Sequence, residues 1–208
     1  MELDKALELR RTYRDYTDRE VSDEILNKVI DAAFKAPTND HLRQLEFLVV
    51  RGQENIAKVI APLAKNMAAF KNLVKEVDET GDDDKMIMFA DALPKQQKML
   101  MESGLLILPF FRQMTVPLLK PKEQQNLNYF ASAWMAVENM ILEATSHGLG
   151  CVFHIPVADE VEKIKEIVNA PEGYEFTCLM TMGYPKPDAF LPKQKKINIQ
   201  ERIHINKF

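Results

Sequence analysis

One long periodic stretch constrains this chain more than any other feature. Across Gln124–His147, Leu127, Phe130, Trp134, Val137, Ile141 and Leu142 recur at helical spacing. About 24 residues at 1.5 Å each make a rod of roughly 36 Å. A small domain buries less than that by itself, so part of the rod is expected at a subunit interface. Gly148-Leu149-Gly150 supplies the stop, because glycine takes the left-handed turn that ends helices. The chain has 208 residues, which at roughly 150 per domain predicts a single domain over 1–208.

Short apolar runs alternate with further helical patterns. LEFLVV (45–50), GLLILPFF (104–111) and FTCLMTMGY (176–184) read as buried strands, and Cys151–Ile155 can be extended. Ser22 caps a helix carrying Ile25, Leu26, Val29, Ile30 and Ala33, which Pro37 brings to an end. Ile56, Val59, Ile60, Leu63 and Met67 mark a second helix; Val161, Ile164, Ile167 and Val168 mark another. Strands spaced by long helices predict a layered α/β or α+β fold. Lys75–Lys85 (KEVDETGDDDK) is acidic, lacks EF-hand register, and reads as a solvated loop. At the end of the chain, Ile197, Ile199, Ile203 and Ile205 share one strand parity, and such an arm must lie against something.

Composition removes several classes. A net charge of −4 gives no electrostatic reason to expect nucleic acid. No uncharged stretch reaches the roughly 18 residues of a membrane span, so no membrane partner is expected. The opening MELDKALELRR has no apolar core of a secretion signal, and the expected location is cytoplasmic. Cys151 and Cys178 have neither zinc-ligand nor disulfide-framework spacing. Nucleophile-elbow, Walker A, GxGxxG and HExxH motifs are missing from the sequence.

Two basic clusters stand out from this acidic chain. Arg10-Arg11-Thr12-Tyr13-Arg14 offers guanidinium forks and a hydroxyl, the chemistry that holds a phosphate; it is equally an ordinary basic helix end. Lys193-Gln194-Lys195-Lys196 carries the same two readings. Converging on one anion would explain both. Ala36-Pro37-Thr38-Asn39-Asp40-His41 is a polar turn between helix and strand, suited to ligand contact or to turn chemistry alone. His154, after the glycine pair, either faces a ligand or is a structural histidine among apolar neighbours.

The order of these pieces resembles the nitroreductase family of FMN-dependent oxidoreductases. RRTYRDYTDREVSDEIL is similar to the family's opening segment, and DAAFKAPTNDHLRQLEFLVV to its Ala-Pro-Ser/Thr turn before a buried strand. ASAWMAVENMILEATSHGLGC is similar to the central helix ending in Gly-Leu-Gly, and MGYPKPDAFLPKQKK to the Gly-Tyr-Pro segment with its basic phosphate contact. The resemblance implies an α+β fold, a mixed central sheet flanked by helices, in a homodimer whose C-terminal arm wraps the partner. It implies FMN held by Arg10, Arg11, Thr12 and Arg14, with Lys193 and Lys195 closing the phosphate site. Pro37, Thr38, Asn39 and His41 would contact flavin from the other subunit, and Phe153, His154 and Ile155 would pass the flavin ring. A further contact is implied among Lys65, Asn66, Lys71 and Asn72.

His41 and Arg43 stand where many members have an amide pair. The implied activity is hydride transfer from NAD(P)H to nitroaromatic, quinone or similar acceptors, with no obligate protein acid or base. Two alternatives are a specialised flavoenzyme of the same fold acting on one substrate, similar to a reductive dehalogenase or a flavin destructase, and a non-catalytic flavin-binding redox sensor.

Overall fold

A computed structural model of the chain describes residues 1–63, 84–113, 124–157, 159–194 and 196–207. Its elements in chain order are α1 (Leu3–Leu9), α2 (Asp23–Ala33), β1 (Leu45–Arg51), α3 (Gln53–Ile60), α4 (Asp84–Ala92), α5 (Gln96–Glu102), β2 (Leu105–Arg112), α6 (Asn128–Ser146), β3 (Gly150–His154), α7 (Glu160–Ile167), β4 (Tyr174–Phe176) and β5 (Leu179–Gly183).

The sheet is built outward from β2. Its order is β1-β2-β5-β3, with β4 also pairing β2. Among the described residues all four strand pairs are antiparallel, so the sheet is antiparallel where a mixed one is expected; the one parallel pairing is an isolated bridge, Thr12 to Cys151, beside β3. Seven of the eight β2 residues are buried, which is why the run reads as continuously apolar: the strand is covered on both faces. Leu105, Ile107 and Phe111 join one core, Leu106, Leu108 and Phe110 the other, as a period of two requires. Pro109 is tolerated mid-strand because its missing N–H falls between partners. β5 pairs Leu106–Ile107, β4 pairs Phe110–Arg112, and the Pro109 carbonyl accepts from Thr177 N–H.

Helices cover both faces. On one side α2 and α6 pack through Leu26, Val29, Ala33, Ala133, Ala136, Val137, Met140 and Ala144. The small residues of that stripe let the two helices approach closely, and Asn139 Nδ2 donates to the Ala32 carbonyl across the contact. On the other side, α3, α5 and α7 bring Ile56, Val59, Ile60, Met99, Leu100 and Ile164. Ser22 caps α2, accepting from Ile25 N–H. Gly148, at φ 76°, ends α6 and lets Leu149 N–H reach the Ala144 carbonyl.

The structure moves several predicted boundaries. The long helix starts at Asn128, after a 3-10 turn over Gln124–Leu127. The strand predicted over 176–184 is two strands, divided at Thr177 and Cys178. The charged opening forms α1 with only Ala6 buried, and Arg10 is its C-cap, so the basic cluster does begin at a helix end. The isoleucine arm is not a strand in this chain. Ile199–Arg202 forms a 3-10 turn, and the four isoleucines are 56–79% exposed. The acidic stretch falls outside the described residues up to Asp84, where α4 begins, and Met67, Lys65, Asn66, Lys71 and Asn72 fall outside them too.

Candidate functional site

The basic segment after α1 is fixed as an extra lane beside β3. Thr12 bridges Cys151, Tyr13 N–H donates to the Cys151 carbonyl at 3.1 Å, and Thr17 N–H donates to the Tyr184 carbonyl at 2.8 Å. Gly150 permits this approach: a Cβ there would lie 2.6 Å from three Tyr13 side-chain atoms. The Gly-Tyr-Pro segment closes the other end, where Tyr16 bridges Pro185.

The two basic clusters meet. Arg11 donates from Nη2 to the carbonyl of Pro192, the residue before Lys193. Arg10 is half-buried and close enough to Cys151 to act on it electrostatically. No carboxylate pairs with Arg10, Arg11 or Lys193 among the described residues. Thr12 adds a half-buried hydroxyl, and Lys193 is exposed. Lys195 lies outside the described residues.

Arg14 departs from its neighbours. Its side chain is 8% exposed and turns to α4, with Nη1 3.6 Å from Asp91 Oδ2 and Nη2 3.6 Å from the Met88 sulfur. Neither Arg14 Nη1 nor Asp91 Oδ2 has a hydrogen-bond partner. Burial lowers the guanidinium's pKa, against the opposing pull of Asp91. Alternating charges continue from there: Lys95 joins Asp91 and Asp15, Lys98 joins Asp15 and Glu102, and Lys186 joins Glu102. This chain of pairs anchors the basic segment to α5.

The Pro37–His41 turn rests on the first turns of α6. Asn39 N–H donates to Ser132 Oγ at 2.9 Å, Asn128 Nδ2 to Asn39 Oδ1 at 3.4 Å, and Arg43 N–H to Thr38 Oγ1 at 3.2 Å. Asp40, His41 and Arg43 all have positive φ, between 48° and 54°. For non-glycine residues that conformation is costly, and such clusters gather at functional sites. His41 and Arg43 are exposed, so the turn presents both outward.

β3 and α6 link these two regions. Phe153 stacks edge-on against Trp134 at 5.3 Å; Trp134 meets Phe130, and Phe130 meets Phe111. Phe153 and Ile155 stay exposed. His154 is buried, with Nε2 3.7 Å from Glu160 Oε2 and without a hydrogen-bond partner, while Glu160 accepts from Val157 N–H. Burial pushes the imidazole's pKa down and Glu160 pulls it up. Both cysteines are buried with thiols pushed up to about 12, so neither is a nucleophile. No cluster of metal-ligating residues exists among the described residues.

Sequence reasoning missed Asp91, Ser132 and Glu160, the partners that fix Arg14, Asn39 and His154. Ser132 was the most accessible of them, as the polar residue in the small-residue stripe of ASAWM. Asp91 carries no local signal, since its partner Arg14 comes from a distant segment, whereas Glu160 follows His154 closely in the chain.

Among the described residues, a layered α+β fold gathers the cations Arg10, Arg11 and Lys193 along one strand edge. The chain belongs to the Nitroreductase family of oxidoreductases, whose profile matches residues 7–184. It is 28% identical over 210 residues to a Methanothermobacter thermautotrophicus protein with the provisional name NADH dehydrogenase/NAD(P)H nitroreductase, covering 100% of this chain and 88% of the relative. Its fold matches that of an oxidised iodotyrosine deiodinase bound to FMN and 3-iodo-L-tyrosine, with a TM-score of 0.74, 19% identity and 100% of each chain covered. It also matches an FMN-dependent nitroreductase from Clostridium difficile R20291, with a TM-score of 0.63, 23% identity and 98% of each chain covered.

Proposed function

We propose that the chain is a single-domain, homodimeric FMN oxidoreductase that uses NADH or NADPH to reduce nitroaromatic, quinone or similar acceptors. The meeting of the two basic clusters, through Arg11 and the Pro192 carbonyl, carries the reading. The donor set fits a terminal monophosphate. Arg10, Arg11 and Lys193 are cations with no carboxylate partner among the described residues and Thr12 offers a neutral hydroxyl, whereas Arg14 turns to Asp91.

Bound FMN would supply hydride exchange between a nicotinamide donor and the acceptor. The chain's own residues bind and orient. Arg10, Arg11, Thr12, Lys193 and Lys195 hold the phosphate, and Arg14, with its charge moderated by Asp91, lies next along the same lane. Phe153 and Ile155 present an exposed apolar edge that excludes water from the ring, with His154 and Glu160 fixing the backbone between them. Pro37, Thr38, Asn39 and His41 face the flavin of the other subunit, and the exposed isoleucine arm covers that subunit's surface.

The visible spectrum of the purified protein tests this. A yellow protein that releases FMN on heating and oxidises NADH or NADPH anaerobically when an acceptor is added supports it. Arg10→Ala with Lys193→Ala should weaken FMN binding tenfold or more, at roughly 1.5–3 kcal/mol for each charge-assisted bond. A colourless protein, or a double variant that binds FMN as tightly as wild type, overturns the reading. Flavin that is bound but reduced by neither nicotinamide points to the redox sensor. The fold likeness to iodotyrosine deiodinase favours a second reading, a one-substrate reductive dehalogenase, which loss of iodide from 3-iodo-L-tyrosine by the reduced protein would reveal.

A further inference from the structure

We infer that the crevice between the Thr38–Asn39 turn and α6 binds the carboxylate of an aromatic second substrate. This rests on the proposed oxidoreductase activity and names its acceptor class. Two observations carry it. Arg43 and Arg112 both line the crevice, both are exposed, and neither side chain has a hydrogen bond or ion pair among the described residues. No aspartate or glutamate lines it, although acids outnumber bases 31 to 27 in this chain and answer the cations of α2, α3 and α5 one by one.

The shape narrows the ligand. The crevice encloses only about 10 Å³, room for one water-sized group. It therefore recognises a headgroup at its rim and not a whole molecule. Guanidinium forks match a carboxylate bidentately, and half-buried Tyr129 in the same lining offers aromatic surface to the ring attached to it. The strained turn contributes preorganisation. Arg43 is held at φ 48°, and its N–H is tied to Thr38 Oγ1, so the backbone that aims the side chain outward is set before any ligand arrives.

The test compares 4-nitrobenzoate with 4-nitrobenzamide, which share ring and nitro group and differ in charge. Binding is measured by calorimetry on the full-length protein as purified, and kcat/KM is measured for each. The benzoate should bind about tenfold or more tightly than the amide. Arg43→Gln and Arg112→Gln should each pull that ratio toward one, and added salt should do the same to wild type. Equal binding of the two compounds by wild type, or a ratio unmoved in both variants, overturns the inference. A KM that rises for NADPH but not for 4-nitrobenzoate in the variants also overturns it, by assigning the arginines to the donor's phosphate. If the protein prefers the benzoate yet carries no flavin, the oxidoreductase reading fails while the carboxylate site stands.

Discussion

Gly150 shows how one missing side chain sets the geometry of the site. In sequence it looks like part of a helix stop, yet in the fold it is the place where Tyr13 lies against β3. Gly150→Ala forces a Cβ to 2.6 Å from the Tyr13 Cβ, an atom that cannot swing away. Overpacking of this kind costs roughly 1–3 kcal/mol. A lowered melting temperature together with weaker FMN retention is the expected pair of results, because the displaced segment carries Arg10 and Arg11. A variant that melts earlier but keeps its flavin would separate packing from binding.

His154 makes a pH prediction at the same scale. Burial holds its imidazole below the ordinary value despite Glu160. The unfolded chain therefore takes up a proton near pH 6.5 that the folded chain accepts only at lower pH. Stability falls as pH drops below about 6.5, by at most about 1.4 kcal/mol per pH unit from this group. Urea midpoints at about pH 7.5 and about pH 5.5 should differ less in His154→Gln than in wild type. An unchanged difference would mean that other groups set the slope.

Among the elements, α5 is held by charge as much as by its apolar face. Asp15 accepts from Lys95 at 2.6 Å and from Lys98 at 3.1 Å, both on or beside α5, and the Asp15 side chain is 12% exposed. Burial raises the carboxyl's pKa, but the two lysine bonds outweigh it and the net shift is downward. The stabilisation is thus present above about pH 4 and lost as acid protonates Asp15. Asp15→Asn leaves two lysines short of a partner and should cost about 1–3 kcal/mol at neutral pH. Denaturant unfolding measures this, and the variant's deficit should shrink toward pH 3 or so. A deficit independent of pH would assign the loss to packing.

For the whole molecule, the arm decides whether one chain is complete. Ile197, Ile199, Ile203 and Ile205 are left in water by the fold of a single chain. Fully burying each would contribute roughly 1.5–3 kcal/mol. Deleting residues 196–208 should dissociate the proposed dimer on size-exclusion chromatography and lower flavin occupancy in the same preparation. A truncated chain that stays dimeric and fully yellow shows that the arm is dispensable.

The sequence by itself determined the layering, the buried strands and the helix stops. These follow from period-2 and period-3.6 patterns, a Ser cap and a left-handed glycine, and each acts within a few residues. It also marked the two basic clusters and the Pro37–His41 turn as candidates for ligand contact, each beside a plain structural reading. Only the tertiary structure decided which of those residues have partners. Arg14 reads like Arg10 and Arg11 in sequence, yet Asp91, 77 positions away, turns it from the shared edge into α4. Arg43 and Arg112 share a crevice because a strained turn and the end of β2 meet there. Backbone periodicity is local and survives in one dimension. The pairing of charges depends on distances that exist only once the sheet has assembled.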